Sequence, residues 1–165
     1  MNDLIEKIGK KLELKNWTIS TAESLTAGLL SASFCNIAGS SRWFLGGVIC
    51  YSNQAKEMLG VDVDFIEKHG AVNCKTAYAL AKNVSKKFNT DIGVSLTGIA
   101  GPSSDEKNTP IGTVHIGFFS NDDSECQKFS IKGNRNQIRE RAADEAIKMI
   151  FKKITKQGDQ NGKDK

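Results

Sequence analysis

Apolar positions recur along the chain with two periods, and together they mark out alternating helices and strands. Over residues 2–14, Leu4, Ile5, Ile8 and Leu12 fall on one stripe with lysines opposite, the pattern of an amphipathic helix. Residues 17–21 are short and β-rich, and Ser20-x-x-Glu23 has the form of a capping box opening an apolar helix that runs to Cys35. Residues 45–51 read as a buried strand, after which Ser52-Asn53 caps a short helix that Gly60 ends. Residues 63–69 give another turn or two of helix closed by Gly70. Residues 73–88 place Ala77, Leu80, Ala81, Val84 and Phe88 at helical spacing. A strand over 91–96 leads into Thr97-Gly98-Ile99-Ala100-Gly101-Pro102, and a polar loop continues to Pro110. Residues 112–119 and 125–131, separated by Ser120-Asn121-Asp122-Asp123, form an antiparallel hairpin. A last long helix over 134–156 buries Ile138, Ala142, Ala146, Met149 and Ile150.

Alternating helices and strands with one late hairpin predict an α/β fold, a three-layer α/β/α sandwich around a mixed sheet. With 165 residues and no linker or internal repeat, the expectation is one domain over 1–157 and a flexible tail over 158–165. Hydrophobic residues make up 39% and charged ones 25%, which is enough apolar material for a core and argues against disorder. No apolar run approaches the ~18 residues of a membrane span. The charge-laced start (Glu6, Lys7, Lys10, Lys11, Glu13) does not read as a secretory signal. A cytoplasmic protein without a membrane partner is expected.

The net charge is +4, but residues 132–156 hold eight basic and three acidic side chains, so that segment carries +5 and the rest −1. A local positive surface suits a phosphorylated ligand or a nucleic acid, and a solvated helix face accounts for it equally well. The segment lacks interleaved aromatics, so no nucleic-acid partner is expected. The four cysteines (35, 50, 74, 126) show no C-x-x-C spacing, and only His69 and His115 supply imidazole. Neither a disulfide framework nor a metal site is therefore expected, and no cofactor. A hydrolase with this composition needs a base other than histidine.

Signature motifs are scarce. G-x-S-x-G, H-E-x-x-H, the P-loop and G-x-G-x-x-G are all absent, and the S-x-x-K at 104–107 lies in a polar loop and reads as chance. Three loops at strand ends carry chemistry instead: residues 21–28, 39–41 and 97–102. Glu23 would repel an anion from the first loop, which points to hydroxyl or amide contacts there, with Ser20 and Thr21 as caps. Lys56 falls early in its short helix, where the dipole and burial would both depress its pKa, and a neutral lysine can deprotonate a serine. Tyr51 could relay that proton or hold the lysine, although spacing alone favours a surface lysine and a strand-end aromatic. Gly98-x-x-Gly101-Pro102 allows close approach to a ligand or simply a tight turn. Arg135 and Arg139, four residues apart on one helix face, could fork onto a phosphate or stay solvated.

Seven stretches in order carry a resemblance: T-A-E-S-L-T-A-G (21–28), I-A-G-S-S-R-W-F (37–44), G-G-V-I-C-Y-S-N-Q-A-K (46–56), H-G-A-V (69–72), S-L-T-G-I-A-G-P (95–102), P-I-G-T-V (110–114) and G-N-R (133–135). The series resembles the CinA C-terminal domain family, whose stand-alone members are nicotinamide-nucleotide amidases. The resemblance implies deamidation of nicotinamide mononucleotide to nicotinate mononucleotide and ammonia, by a homodimer without cofactor. It implies Ser41, Tyr51 and Lys56 as the catalytic set. It also implies that Gly98, Ala100 and Gly101 of the third loop and Arg135 line the nucleotide pocket; Ser24, Thr26 and Gly28 of the first loop and Arg139 join the substrate-binding candidates on the reading of the residues themselves. Leu25 and Ala27 stand where the family commonly has cysteine and glycine, Ser103, Ser104 and Asp105 replace a Gly-Gly stretch, and Asn108 and Thr109 interrupt the run before Pro110.

Two other classes compete. A non-catalytic nucleotide-binding module would keep the pocket without turnover. A short-chain dehydrogenase also uses Ser, Tyr and Lys, but spaces the last two as Y-x-x-x-K, one residue closer than Tyr51 and Lys56.

Overall fold

The computed structural model describes residues 1–159. Helix α1 (Asn2–Lys15) leads to strand β1 (Ile19–Glu23), then α2 (Leu29–Cys35), a 3-10 turn (Ser40–Arg42) and β2 (Phe44–Ile49). Next come α3 (Asn53–Met58), α4 (Val63–His69), α5 (Cys74–Phe88) and β3 (Ile92–Gly98). The hairpin of β4 (Thr113–Ser120) and β5 (Ser124–Ser130) precedes α6 (Arg135–Asp159). The sheet order is β2-β1-β3-β4-β5, with β2, β1 and β3 parallel and β4 and β5 antiparallel to their neighbours. The expected three-layer architecture around a mixed sheet is what forms.

The period of two along the central strands builds the layers. On β3 and β4, Ile92, Val94, Leu96, Val114, Ile116 and Phe118 face one side, where they pack with Ile5, Ile8 and Leu12 of α1, Leu30 and Phe34 of α2, and the apolar stripe of α6. The alternate residues face α5. Two glycines on that side let the helix come close: a Cβ on Gly93 would lie 1.9 Å from the Ala81 carbonyl oxygen, and one on Gly117 would lie 2.5 Å from that of Ala77. Ser95 Oγ donates to the same Ala77 carbonyl at 2.5 Å. A second cluster (Ala22, Cys50, Leu59, Val61, Ile66, Leu80, Val84) fills the space under α3, α4 and α5.

Three expectations are corrected. Ser20 to Glu23 belong to β1 rather than to a helix cap. Ser20 Oγ pairs with Thr90 Oγ1 at 2.7 Å and Thr21 Oγ1 with Ser31 Oγ at 2.8 Å, so α2 begins only at Leu29. The helix expected to stop at 156 continues to Asp159, through the first two residues of the expected tail; residues 160–165 lie outside the described residues. Cys74 and Cys126, 52 residues apart in sequence, are disulfide-bonded across α5 and β5, a pairing that no local spacing announces.

A candidate serine-lysine active site

Glu23, at the end of β1, is 1% exposed, and its carboxylate takes the capping role expected of Ser20 and Thr21. It accepts from the backbone N–H groups of Gly28 (2.9 Å), Leu30 (3.2 Å) and Ser31 (2.8 Å), and from Ser31 Oγ (2.6 Å). These donors are the free amides at the start of α2, where a negative charge is favoured. The clamp folds residues 24–28 into a tight turn in which Gly28 (φ 98°) and Ala27 (φ 48°) are left-handed. Ser24 opens that turn. Its amide donates to Leu96 O of β3 at 3.0 Å, which fixes it at the carboxyl ends of β1 and β3.

Lys56 reaches the same point from α3. Ser52 caps that helix by accepting from Ala55 N at 3.1 Å, and Lys56 is 2% exposed. Its Nζ lies 3.1 Å from Ser24 Oγ, 2.9 Å from Cys50 O and 3.1 Å from Tyr51 O. Burial lowers the lysine from its ordinary value, partly opposed by the neighbouring Cys50. A neutral amine has two N–H groups and one lone pair. The ammonium form donates to all three oxygens; in the neutral form, with the two carbonyls taking the N–H groups, the lone pair would be left for the Ser24 hydroxyl. Cys50, though adjacent, is held as a thiol because burial pushes it up to about 11.

A cleft of about 660 Å³ opens in front of this pair. Residues 98–101 after β3 form one wall, residues 70–72 before α5 another, and residues 103–107 the outer rim. Arg135, at the start of α6, reaches in: its guanidinium donates to the Gly101 carbonyl and, at 3.0 Å, to Tyr51 Oη. The phenol of Tyr51 thus faces the arginine, while its backbone carbonyl holds the lysine. A dehydrogenase-type Tyr–Lys pair needs those two side chains together, and the phenol is paired elsewhere.

The structure brings together Ser24, Tyr51, Lys56, Gly98, Ala100, Gly101 and Arg135 around the cleft. It does not bring Ser41 there. Ser41 sits in the 3-10 turn that enters β2, while Tyr51 and Lys56 follow the other end of that strand. Six strand residues at ~3.3 Å each separate the two ends by about 20 Å. The neighbouring Arg42 pairs with Glu13 of α1 at 2.7 Å, on the far rim. The serine beside Lys56 is Ser24, expected from its loop only to contact substrate.

Arg139 is turned away from the cleft. Its Nε donates to Leu25 O at 2.9 Å and its Nη2 to Thr26 O at 3.2 Å, so it braces the turn behind Ser24. Thr26 is fully buried and Gly28 serves the Glu23 clamp, so both shape the loop instead of lining the cleft. Gly98 is needed for packing: a Cβ there would lie 2.6 Å from Thr113 O of β4.

A model of the CinA C-terminal domain matches residues 1–154 of the chain. A CinA-like protein of Kosmotoga olearia is 44% identical over 134 residues, 81% of this chain and 32% of its own length. One of Leptospira biflexa is 39% identical over 155 residues, 93% of this chain and 37% of its own. The chain thus spans about a third of the length of these curated relatives. Among solved structures, the competence damage-inducible protein A of Klebsiella pneumoniae superposes with a TM-score of 0.90 at 26% identity, covering 93% of this chain and 96% of that one. The competence/damage inducible protein CihA of Agrobacterium tumefaciens gives 0.87 at 30% identity, covering 92% and 93%.

Proposed function

The chain belongs to the CinA C-terminal domain family, and on that premise we propose that it is a serine amidohydrolase that releases ammonia from the carboxamide of nicotinamide mononucleotide. One observation carries the reading: a buried lysine, with its N–H groups engaged by two carbonyls, faces a serine hydroxyl at 3.1 Å at the mouth of a cleft. Neutral Lys56 takes the Ser24 proton, and Ser24 Oγ attacks the carboxamide carbon to form a tetrahedral intermediate. The resulting ammonium returns its proton to the departing nitrogen, ammonia leaves, and an acyl-serine remains. Lys56, neutral again, draws a proton from the incoming water and returns it to Ser24 Oγ as the acyl bond breaks, which frees nicotinate mononucleotide and restores the starting pair. No metal or histidine enters these steps.

Arg135 suits the 5′-phosphate, since its fork has N–H groups beyond the two spent on Gly101 and Tyr51. Tyr51 then orients the arginine and borders the substrate. Proton transfer stays with Lys56, and the cytoplasmic nucleotide pool would supply the substrate.

Incubating the protein with nicotinamide mononucleotide and following ammonia tests the reading. Ser24→Ala is expected to lower kcat by at least about 10³-fold while still binding the nucleotide, as removal of a nucleophile does. Turnover near that of the unaltered protein in Ser24→Ala would rule the serine out. Nucleotide binding without any ammonia from the unaltered protein would favour the non-catalytic module instead.

A further inference from the structure

Three side chains that play no part in the amidase reading meet on the α5 side of the sheet. Cys74 is the first residue of α5. His115 lies on β4, where its neighbours Val114 and Ile116 point to the opposite face, and it is 8% exposed. Cys126 lies on β5 opposite Gly117, two residues along from His115 and therefore on the same face. The Sγ of Cys74 is 3.4 Å from His115 Nδ1 and that of Cys126 is 3.9 Å from it. All three potential ligand atoms lie within 4.8 Å of one another.

We propose that, once the Cys74–Cys126 bond is reduced, Cys74, Cys126 and His115 form a Cys2His site for a thiophilic divalent cation of the zinc class, with a fourth position left open. Zinc with Zn–S of ~2.3 Å and Zn–N of ~2.0 Å sets adjacent tetrahedral ligands about 3.5 Å apart. The two sulfur–nitrogen separations bracket that value without any movement of the strands. Only the sulfurs must part, and Cα atoms 5.6 Å apart let side-chain rotation do this. Ligands from three separate elements also explain why no C-x-x-C spacing is present in the sequence.

The chemistry balances simply. A dithiol reductant delivers two electrons and two protons to the disulfide, giving two thiols and leaving the reductant as its own disulfide. Metal binding then releases the two thiol protons, and each sulfur and the imidazole nitrogen donate a lone pair, with no electron transferred. Because the same sulfur electrons make either the S–S bond or the metal bonds, the oxidised protein and the metal-bound protein exclude each other.

The test uses the full chain, reduced with dithiothreitol, freed of reductant anaerobically and titrated with Co²⁺. One equivalent is expected to bind, with tetrahedral visible bands and thiolate-to-cobalt charge transfer, and to be displaced by Zn²⁺. Protein left unreduced is expected to take up none, a comparison that needs no substitution. Cys74→Ser and Cys126→Ser should each abolish the charge-transfer band, His115→Ala should weaken binding at least about tenfold, and Cys35→Ser, on the exposed cysteine, should leave it unchanged. The proposal is overturned if reduced protein binds cobalt no better than the folded Cys74→Ser/Cys126→Ser double variant, or if dithiothreitol leaves the native disulfide intact. None of these readouts depends on amidase turnover.

Discussion

In the proposed reaction Lys56 acts as the base and must be neutral to do so, a form that its burial favours. Burial disfavours the ammonium and lowers the lysine from its ordinary value of ~10.4, so the neutral amine is populated at lower pH than in a free side chain. Since the required form is the deprotonated one, kcat/KM for ammonia release should rise with pH and level off below that ordinary lysine value. A profile still climbing at pH ~10.4 would mean that the base is unperturbed. Lys56→Arg keeps a cationic side chain, one atom longer, but holds a permanent proton, and a loss of about 10²–10⁴-fold in kcat is expected. Arg135 is expected to act on binding alone. Arg135→Ala should raise KM for nicotinamide mononucleotide roughly 10–100-fold, the weight of one charged hydrogen bond, and leave KM for the unphosphorylated riboside nearly unchanged. Equal effects on the two substrates would exclude a phosphate contact.

The turn between β1 and α2 shows how one element is built to present a side chain. Four donors converge on the Glu23 carboxylate at its inner end, and Arg139 binds two of its carbonyls from α6. The backbone of Ser24 is thereby held from both sides, so its hydroxyl meets Lys56 without reorganisation. One residue in the turn is not matched to its conformation. Ala27 sits at φ 48°, where a side chain crowds its own backbone and only glycine is at ease. Ala27→Gly should therefore stabilise the protein by about 0.5–1 kcal/mol, the relief of strain being partly offset by the freer unfolded chain. Urea denaturation measures it, and a lower midpoint at unchanged slope would show that the alanine is not strained.

At the scale of the molecule, the strand order decides where the cleft lies. From β1 the chain crosses to β2 on one side through α2, and from β2 it returns past β1 to β3 through α5 on the opposite face. The connections leave in opposite directions from the carboxyl ends of β1 and β3, and such a switch point leaves a crevice between the loops. Ser24 follows β1 and Gly98 to Gly101 follow β3, so both border it. Ser41 enters β2 at the other rim, and Ser41→Ala is expected to change kcat and KM by less than about twofold, within the scatter of surface substitutions. A large kcat loss in that variant would mean that the far rim takes part. The +5 segment is also redistributed by the fold: Arg139 binds loop carbonyls, Arg141 binds Lys132 O, and Lys153 is paired with Asp123 and Glu125.

The sequence by itself determined the layers, because burial stripes of period 3.6 and 2 are local properties that can be counted along the chain. The amphipathic α1, the α5 stripe from Ala77 to Phe88 and the β4–β5 hairpin were all legible, as were Tyr51, Lys56, the Gly98–Gly101 loop and Arg135 as candidates. Which serine lies beside Lys56 was not. Ser24 and Ser41 stand in equally polar, glycine-bearing loops, and only the parallel pairing of β1 with β2 puts one beside Lys56 and the other a strand's length away. Glu23 as the α2 clamp, Arg139 as a brace and the meeting of Cys74, His115 and Cys126 escaped for the same reason. Each depends on groups far apart in sequence, whose distance is set by crossovers and strand register that no local pattern encodes.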